Sequence, residues 1–417
     1  MYKLRVVVTG MGAITPIGNS AKELWDNSLK GVNGVGPITR YDSSFHKTHF
    51  ACEVKNFDPS KYLERNEIRR SDIYAQYSLH CAAEAMEDSG LDMEKTSPYD
   101  VGVIWGTGKG GVTSYDEEVK DYFVNGGVPR FGPFFIPKVI SNMAPGMISM
   151  KFGLMGVNFV TASACASSNH AIIDAFNNIL LGRAKAIICG GAETGITAPV
   201  MAGFEAMRAL SNDNDAYKWA SRPFDETRNG FVMGEGGAAL ILEELEHAKA
   251  RGAKIYAEIV GVGSTADAYH MSSSHPEGLG AIRSIELALK EGGVEPEEVN
   301  YLNAHATSTS IGDLSEIAAI SRVFDRKMKN LVVGATKSMT GHLIGGAGAV
   351  ESVFAIKAIQ EGIIPPTINT ETLDPLIPKE LKIAGPKAEE RKVKVAISNT
   401  FGFGGHNTSV LYKSFED

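Results

Sequence analysis

A weakly similar opening occurs twice in this chain. Val6-Val7-Val8-Thr9-Gly10-Met11-Gly12-Ala13 and Ile255-Tyr256-Ala257-Glu258-Ile259-Val260-Gly261-Val262-Gly263 each run a short β-rich segment into spaced glycines. Each half later carries an apolar run that meets a glycine pair, Gly190-Gly191 and Gly404-Gly405. This recurrence predicts two similar halves, residues 1–252 and 253–417, with Glu243–Gly252 as a connecting helix and turn. Arg5–Thr9, Val101–Trp105, Ala186–Cys189, Ile255–Val260, Leu331–Gly334 and Lys394–Ser398 read as buried strands. Ala21–Gly31, Ile73–Ser89, Ser167–Leu181, Gly280–Glu291, Leu314–Phe324 and Ala347–Glu361 read as helices. Strand–helix alternation with glycine turns predicts α/β layers on largely parallel sheets.

Bulk properties narrow the function. A length of 417 residues, 43% hydrophobic and 22% charged, suits a large globular core. A formal net charge of -8 argues against nucleic acid as a partner, since that binding needs clustered positive charge. Cys52, Cys81, Cys165 and Cys189 are scattered, with no CxxC pair, so neither a disulfide framework nor a zinc site is expected. The N-terminal apolar run is three residues long, unlike a signal peptide, and no stretch approaches the roughly 18 apolar residues of a membrane span. A soluble, cytoplasmic protein with reduced thiols is the expectation.

Four segments carry candidate chemistry. In Thr161-Ala162-Ser163-Ala164-Cys165-Ala166-Ser167-Ser168-Asn169-His170, a cysteine sits among small residues between the extended stretch Val157–Val160 and a helix start. Helix N–H groups and the positive dipole end favour a thiolate there, and small neighbours let a substrate approach. A buried structural cysteine is the plainer alternative. Asn303-Ala304-His305-Ala306-Thr307-Ser308-Thr309-Ser310-Ile311-Gly312-Asp313 places a histidine ahead of hydroxyls able to cap a helix or fix the imidazole tautomer. Thr336-Lys337-Ser338-Met339-Thr340-Gly341-His342 sets a lysine and a histidine five residues apart after a strand, with Glu351 on the next helix as an ion-pair partner for Lys337. Ser398-Asn399-Thr400-Phe401-Gly402-Phe403-Gly404-Gly405 sets two phenylalanines among glycines at a strand end, suited to gating a pocket or to a glycine-rich turn.

A competing signal is Gly106-Thr107-Gly108-Lys109-Gly110-Gly111, which matches GxGxxG after a strand. A nicotinamide-dependent oxidoreductase would need a helix, a second strand and an acidic residue about 20 positions on. Tyr122–Pro129 reads as a loop instead, and Lys109 is followed by glycine, not the Ser or Thr of a P-loop.

Taken together, and with Ser221-Arg222-Pro223-Phe224-Asp225 and Gly230-Phe231-Val232-Met233-Gly234-Glu235-Gly236, these segments resemble the β-ketoacyl-(acyl-carrier-protein) synthases, specifically the synthase II branch of type II fatty-acid synthesis. The resemblance covers essentially the whole chain. It implies a thiolase-like five-layered αβαβα sandwich of two related halves, and a homodimer. It implies decarboxylative Claisen condensation of acyl-carrier with malonyl-carrier thioesters, without metal or organic cofactor. By the same resemblance Cys165 is the acyl-accepting nucleophile, His305 and His342 are catalytic histidines, and Lys337 and Glu351 are their supporting pair. Phe403 is the gate, its backbone N–H joining that of Cys165 in an oxyanion hole, with Phe401 beside it; Thr307 and Thr309 line the malonyl site. Arg69, Arg70, Arg130 and Arg208 match a basic patch for docking an acidic acyl carrier protein. Ala306 stands where glycine is usual, Ser310 where proline is frequent, and Lys109 where an apolar residue lines the far end of the acyl pocket. Lys109 leaves open a shortened pocket, a side chain turned outward to a partner, or a ketosynthase of a type II polyketide or aryl-polyene pathway.

Overall fold

The computed structural model describes residues 4–416; residues 1–3 and 417, the outermost ends of the two expected halves, lie outside the described residues. One sheet of eleven strands organises the chain. Its strands are β1 (Val6–Ile14), β2 (Val101–Gly106), β3 (Asn158–Thr161), β4 (Ala186–Glu193), β5 (Gly236–Glu244), β6 (Ala257–Ala266), β7 (Tyr301–Asn303), β8 (Val332–Gly334), β9 (Lys382–Ile383), β10 (Val395–Gly402) and β11 (His406–Lys413).

The two halves repeat one topology. In the first, the order is β1-β5-β4-β2-β3; in the second it is β6-β11-β10-β7-β8, with β9 added at the edge. Directions match as well. The first two pairings of each half are antiparallel, and the next two are parallel. The halves join where Val6, Val7 and Val8 of β1 pair with Ile259, Glu258 and Ala257 of β6.

Helices supply the remaining layers: α1 (Ala21–Leu29), α2 (Ile73–Ser89), α3 (Val112–Val124), α4 (Met143–Phe152), α5 (Ser167–Leu180), α6 (Ala198–Ala206), α7 (Leu279–Gly292), α8 (Ser310–Phe324) and α9 (Ala347–Glu361). Helices α5 and α9 touch each other and strands of both halves. Their side chains share one apolar cluster with both sets of strands, including Ile172, Phe176, Leu240, Val353, Phe354 and Val410. Helices α2 and α4 cover the outer face of the first half, around Tyr77, Trp105 and Ile148. Helices α7 and α8 cover that of the second, around Ile285, Ile320 and Phe324. Three cores between five layers explain why β1, β4 and β5 are buried along their whole length and read as runs of small or apolar residues, broken by acids only at the C-terminal ends of β4 and β5.

The connection between the halves is mixed. Glu243 and Glu244 end β5, and a short helix, Leu245–Ala250, follows. The Glu244 side chain caps it by accepting from the N–H groups of Glu246 and His247. The strand–glycine–helix pattern at Gly106–Gly111 is present, with α3 beginning at Val112. The next strand is β3 at Asn158, and the buried carboxylate of Glu193 already fills the loop, accepting from Gly108 N at 2.6 Å. A diphosphate would meet that carboxylate, so the loop is not a dinucleotide cradle.

Candidate active site

Equivalent strands of the two halves deliver the candidate residues at their C-terminal ends. After β2 comes the Lys109 loop, and after β3 the turn Ala164–Ala166 that carries Cys165. In the second half, His305 follows β7, and Lys337 and His342 follow β8. The β10–β11 hairpin adds Phe401 and Phe403. A cavity of about 460 Å³ lies between these ends, lined by Cys165, His305, His342, Phe401, Phe403 and Lys109 among others. That volume lies in the range of small-molecule sites.

Backbone strain clusters here. Ala164, immediately before the cysteine, has φ +51°, Ile344 in the cavity wall has φ +47°, and Ser308 has φ +71°. A β-branched residue at positive φ is rare and costs on the order of 1 kcal/mol or more, so surrounding contacts must hold it. Ser163 N–H donates to Ser167 Oγ at 2.9 Å, and Ser167 Oγ donates to the Ala164 carbonyl at 2.7 Å. These bonds hold the cysteine turn. Gly402 packs against it so closely that a Cβ there would lie 2.6 Å from Ser163 O and 3.2 Å from Cys165 N.

Cys165 is 7% exposed, and its Sγ lies 3.0 Å from His342 Nε2. Burial pushes the thiol up to about 11, while the charges of Lys337 and Lys109 and the backbone N–H of Phe403 pull it down. Burial wins, and the resting sulfur is a thiol rather than the thiolate that a helix start alone suggests. His305 and His342 stand edge to face, ring centroids 5.2 Å apart. Burial first, and the Lys337 ammonium second, hold both imidazoles well below their ordinary range, so both are neutral.

Lys337 fixes the tautomer of His305. Its Nζ lies 3.3 Å from His305 Nδ1 and pairs with the Glu351 carboxylate on α9. An ammonium only donates, so Nδ1 accepts and Nε2 carries the proton. Burial pushes the Glu351 carboxyl up to about 7, with Lys337 pulling the other way. Thr400 Oγ1 donates to Glu351 Oε2 at 3.4 Å, and Asn169 Nδ2 to Thr400 Oγ1 at 3.1 Å, extending the network to α5. His342 is set from the opposite side: its N–H donates to Val232 O at 2.8 Å and its carbonyl accepts from Gly234 N at 2.9 Å.

Three buried carboxylates hold the loops; Asp313 closes the His305 segment but was given no role there, and Glu193 and Glu316 lie outside the motifs. Glu316 accepts from the backbone N–H groups of His305 and Ala306 at 3.0 and 2.8 Å. Asp313 accepts from Ser308 N and Phe224 N at 3.1 and 3.0 Å and meets Arg228. Glu193 holds Gly108 N and Gly345 N. The one available signal was an acid at helical spacing inside an apolar stretch, as at Asp313 and Glu316. Ala306 is fully buried without a positive φ, so alanine there carries no backbone strain. Ser310 is the first residue of α8, the position where proline would also fit.

The other candidates divide. Thr307 and Thr309 line the cavity, their hydroxyls 3.2 Å apart. Phe403 faces Phe204 with centroids 6.3 Å apart, and Phe401 faces His305 at 5.8 Å. Lys109 points inward rather than out to a partner, its Nζ buried and 5.4 Å from the Phe204 ring centroid. Arg208 is exposed and lines the cavity mouth. Arg69, Arg70 and Arg130 are exposed and do not line it; Arg70 lies over the Phe134 ring.

The ligand atoms of Cys165, His305 and His342 lie within 4.8 Å of one another, a spacing a soft metal accepts. A metal-bound imidazole normally donates its second nitrogen to a carboxylate or carbonyl. His305 instead meets the Lys337 ammonium there, whose charge opposes a bound cation. The donor set does not fit a resident metal.

Known proteins match along the whole chain. The family described as "Beta-ketoacyl synthase, N-terminal domain" matches residues 3–248, and "Beta-ketoacyl synthase, C-terminal domain" matches residues 256–371. A protein of Synechocystis sp. named 3-oxoacyl-(acyl-carrier-protein) synthase 2 is 46% identical over 416 residues, covering 100% of this chain and 99% of the relative. The ishigamide ketosynthase/chain length factor superposes with a TM-score of 0.93 at 31% identity, over 99% of this chain and 100% of that one. A type II polyketide acyl-carrier protein in complex with its ketosynthase bound to the hexaketide contains a chain that superposes with a TM-score of 0.89 at 29% identity, over 99% and 100%. A repeated α/β topology, a buried cysteine–histidine–histidine cluster at its strand ends and full-length similarity agree: this chain belongs to the β-ketoacyl synthase family, with a thiolase-like fold.

Proposed function

We propose that this protein is a β-ketoacyl-(acyl-carrier-protein) synthase that elongates acyl chains in fatty-acid biosynthesis. The observation that carries the reading is the Cys165–His342 contact with His305 locked by Lys337 beside it. Cys165 Sγ attacks the primer thioester, its proton leaving through His342 Nε2, and the carrier thiol departs. The malonyl thioester then binds beside Thr307 and Thr309. His305 Nε2–H donates to its carbonyl oxygen, and His342, whose Nε2 faces no thiol hydrogen once Cys165 is acylated, donates to it from the other side in its Nε2–H tautomer. CO₂ leaves, and the electron pair stays as an enolate held by the two imidazoles. The enolate carbon attacks the acyl-Cys165 carbonyl, whose oxygen is held by the N–H groups of Cys165 and Phe403. Collapse expels the Cys165 sulfur as a thiolate, which takes a proton from solvent as the β-ketoacyl carrier leaves. Phe401 and Phe403 close the cavity against water, which would hydrolyse the acyl-enzyme. Losing one oxyanion donor in such sites costs about 10²–10³ in rate.

The carrier protein docks at the cavity mouth, where Arg208 is exposed; Arg69, Arg70 and Arg130, exposed away from the cavity lining, are the further basic residues offered to it. The enzyme works as a homodimer. Strand β3 ends the sheet with an unpaired edge, and Met150 and Met155 beside it are 70% and 61% exposed. Among the described residues no helix is long and apolar enough to cross a membrane, and the proposed carrier substrates put the enzyme in the cytoplasm.

A condensation assay tests the reading: acyl-carrier primers of increasing length with malonyl-carrier, products read by mass spectrometry, Cys165→Ala as control. β-Ketoacyl products that vanish in the control support it; no condensation with any primer contradicts it. Lys109 favours a second reading, a ketosynthase of a type II polyketide or aryl-polyene pathway, which the product profile separates from the first.

A further inference from the structure

Lys109 is a charged group in the cavity wall that the proposed reaction leaves without a task. Its Nζ is buried and has no hydrogen-bond partner among the described residues. An ammonium has three donors and no acceptor, and burying it unbonded is unfavourable. The nearby carboxylate does not complete it. Glu193 spends its oxygens on Gly108 N at 2.6 Å, Gly345 N at 3.2 Å and Thr107 Oγ1 at 3.4 Å; the Lys109 charge acts on it through space, but among the described residues the two form no direct hydrogen bond between their side chains. The Phe204 face, 5.4 Å away, offers only a weak cation–π contact.

Apolar side chains pack around Cys165 on this side of the cavity. Ile196, Met201, Phe231 and Ile344 pack in one cluster with Cys165, and Phe204 lies against it. Lys109, Phe204, Ile344 and Cys165 line the same cavity. A saturated chain laid from Cys165 along these side chains would cover the ammonium and leave its donors unmade. A chain with an oxygen at that depth would satisfy them.

We propose that Lys109 makes this cavity selective for acyl primers that carry a hydrogen-bond-accepting oxygen on the chain beyond the thioester. The inference rests on the reading of the cavity as the acyl site. Because Glu193 supplies a compensating charge nearby, a neutral hydroxyl is enough to engage Lys109, and a carboxylate engages it too.

The test compares matched primers on an acyl carrier: unsubstituted, ω-hydroxy and ω-carboxy chains of each length. Acylation of Cys165 is followed by intact mass in the wild type, Lys109→Met and Lys109→Arg. The wild type should acylate with an oxygenated primer at least about tenfold faster, in kcat/KM, than with the unsubstituted chain of that length. Lys109→Met should cancel or invert the preference, and Lys109→Arg should keep it. The hydroxy and carboxy arms show whether a neutral acceptor or an anion is preferred; either preference supports the proposal. Equal or faster acylation by unsubstituted primers at every length overturns it, as does an unchanged ratio in Lys109→Met. Should the Met variant fail to fold, the wild-type ratio decides alone. Absence of acyl-Cys165 with every primer and every protein overturns the condensing reading as well, a distinct outcome.

Discussion

At the scale of residues, the site works through groups held in their neutral forms. Burial raises the Cys165 thiol and lowers both imidazoles, so the sulfur and His342 start as thiol and free base. The thiolate fraction of a raised thiol grows about tenfold per pH unit until the pKa is reached. Iodoacetamide labelling of Cys165, read by peptide mass, should therefore be slow at neutral pH and climb steeply to about pH 11. A rate already flat above pH 7 would mean a preformed thiolate. Lys337 has a second readable effect. Its charge lowers both histidines, and decarboxylation needs them neutral, so Lys337→Met should move the acid limb of the malonyl decarboxylation profile to higher pH. The rate should also drop by about 10²–10³-fold, because the His305 tautomer is no longer fixed. A rate loss with an unmoved limb would leave Lys337 a purely packing role. Cys165, His305, Lys337 and His342 were legible because each stands in a small-residue loop after a strand. Glu193 and Glu316 were not, because their partners are backbone N–H groups remote in sequence or set by a loop's fold.

At the scale of elements, glycines explain both the site and the errors in reading it. Gly402 ends β10 against the cysteine turn, with no room for a Cβ. Gly402→Ala should push the hairpin off that turn and cut condensation by about 10²-fold or more, while the melting temperature falls by only a few degrees. An unchanged rate would show that the hairpin takes no part in holding the oxyanion. Strand β1 was expected to stop at Thr9, since Gly10 and Gly12 read as a turn. They continue the strand to Ile14, because helix α2 crosses there and a Cβ would lie 2.3 Å from Ala85 O or 2.1 Å from Cys81 O. Strand β5 has Ile241 as its one β-branched residue and opens as a small-residue stretch, and β7 has three residues. Strand β11 is polar in sequence, but its buried hydroxyls are satisfied within the sheet: Thr408 Oγ1 donates to Thr400 O and Ser409 Oγ to Asn399 Oδ1.

At the scale of the whole molecule, the repeat seen in Val6–Ala13 and Ile255–Gly263 becomes two sheets' worth of strands in one order, with α5 and α9 between them. The sequence could not reveal that β1 and β6 pair at their edges, since that contact follows from how the layers stack. The edge at β3 points to assembly. Val160→Lys would set like charges against each other across a two-fold at that strand, and light scattering should show a dimer becoming a monomer. A dimer unaffected by the change would move the interface elsewhere. In the proposed reaction Cys165 carries the acyl group between two carrier-bound substrates. The most direct test of that role is intact mass after incubation with an acyl-carrier primer, followed by a chase with malonyl-carrier. One acyl mass should appear on the wild-type chain, mapped to Cys165, absent in Cys165→Ala and discharged by the chase into a β-ketoacyl product. Condensation without an acyl mass, or with full rate in Cys165→Ala, would contradict that role.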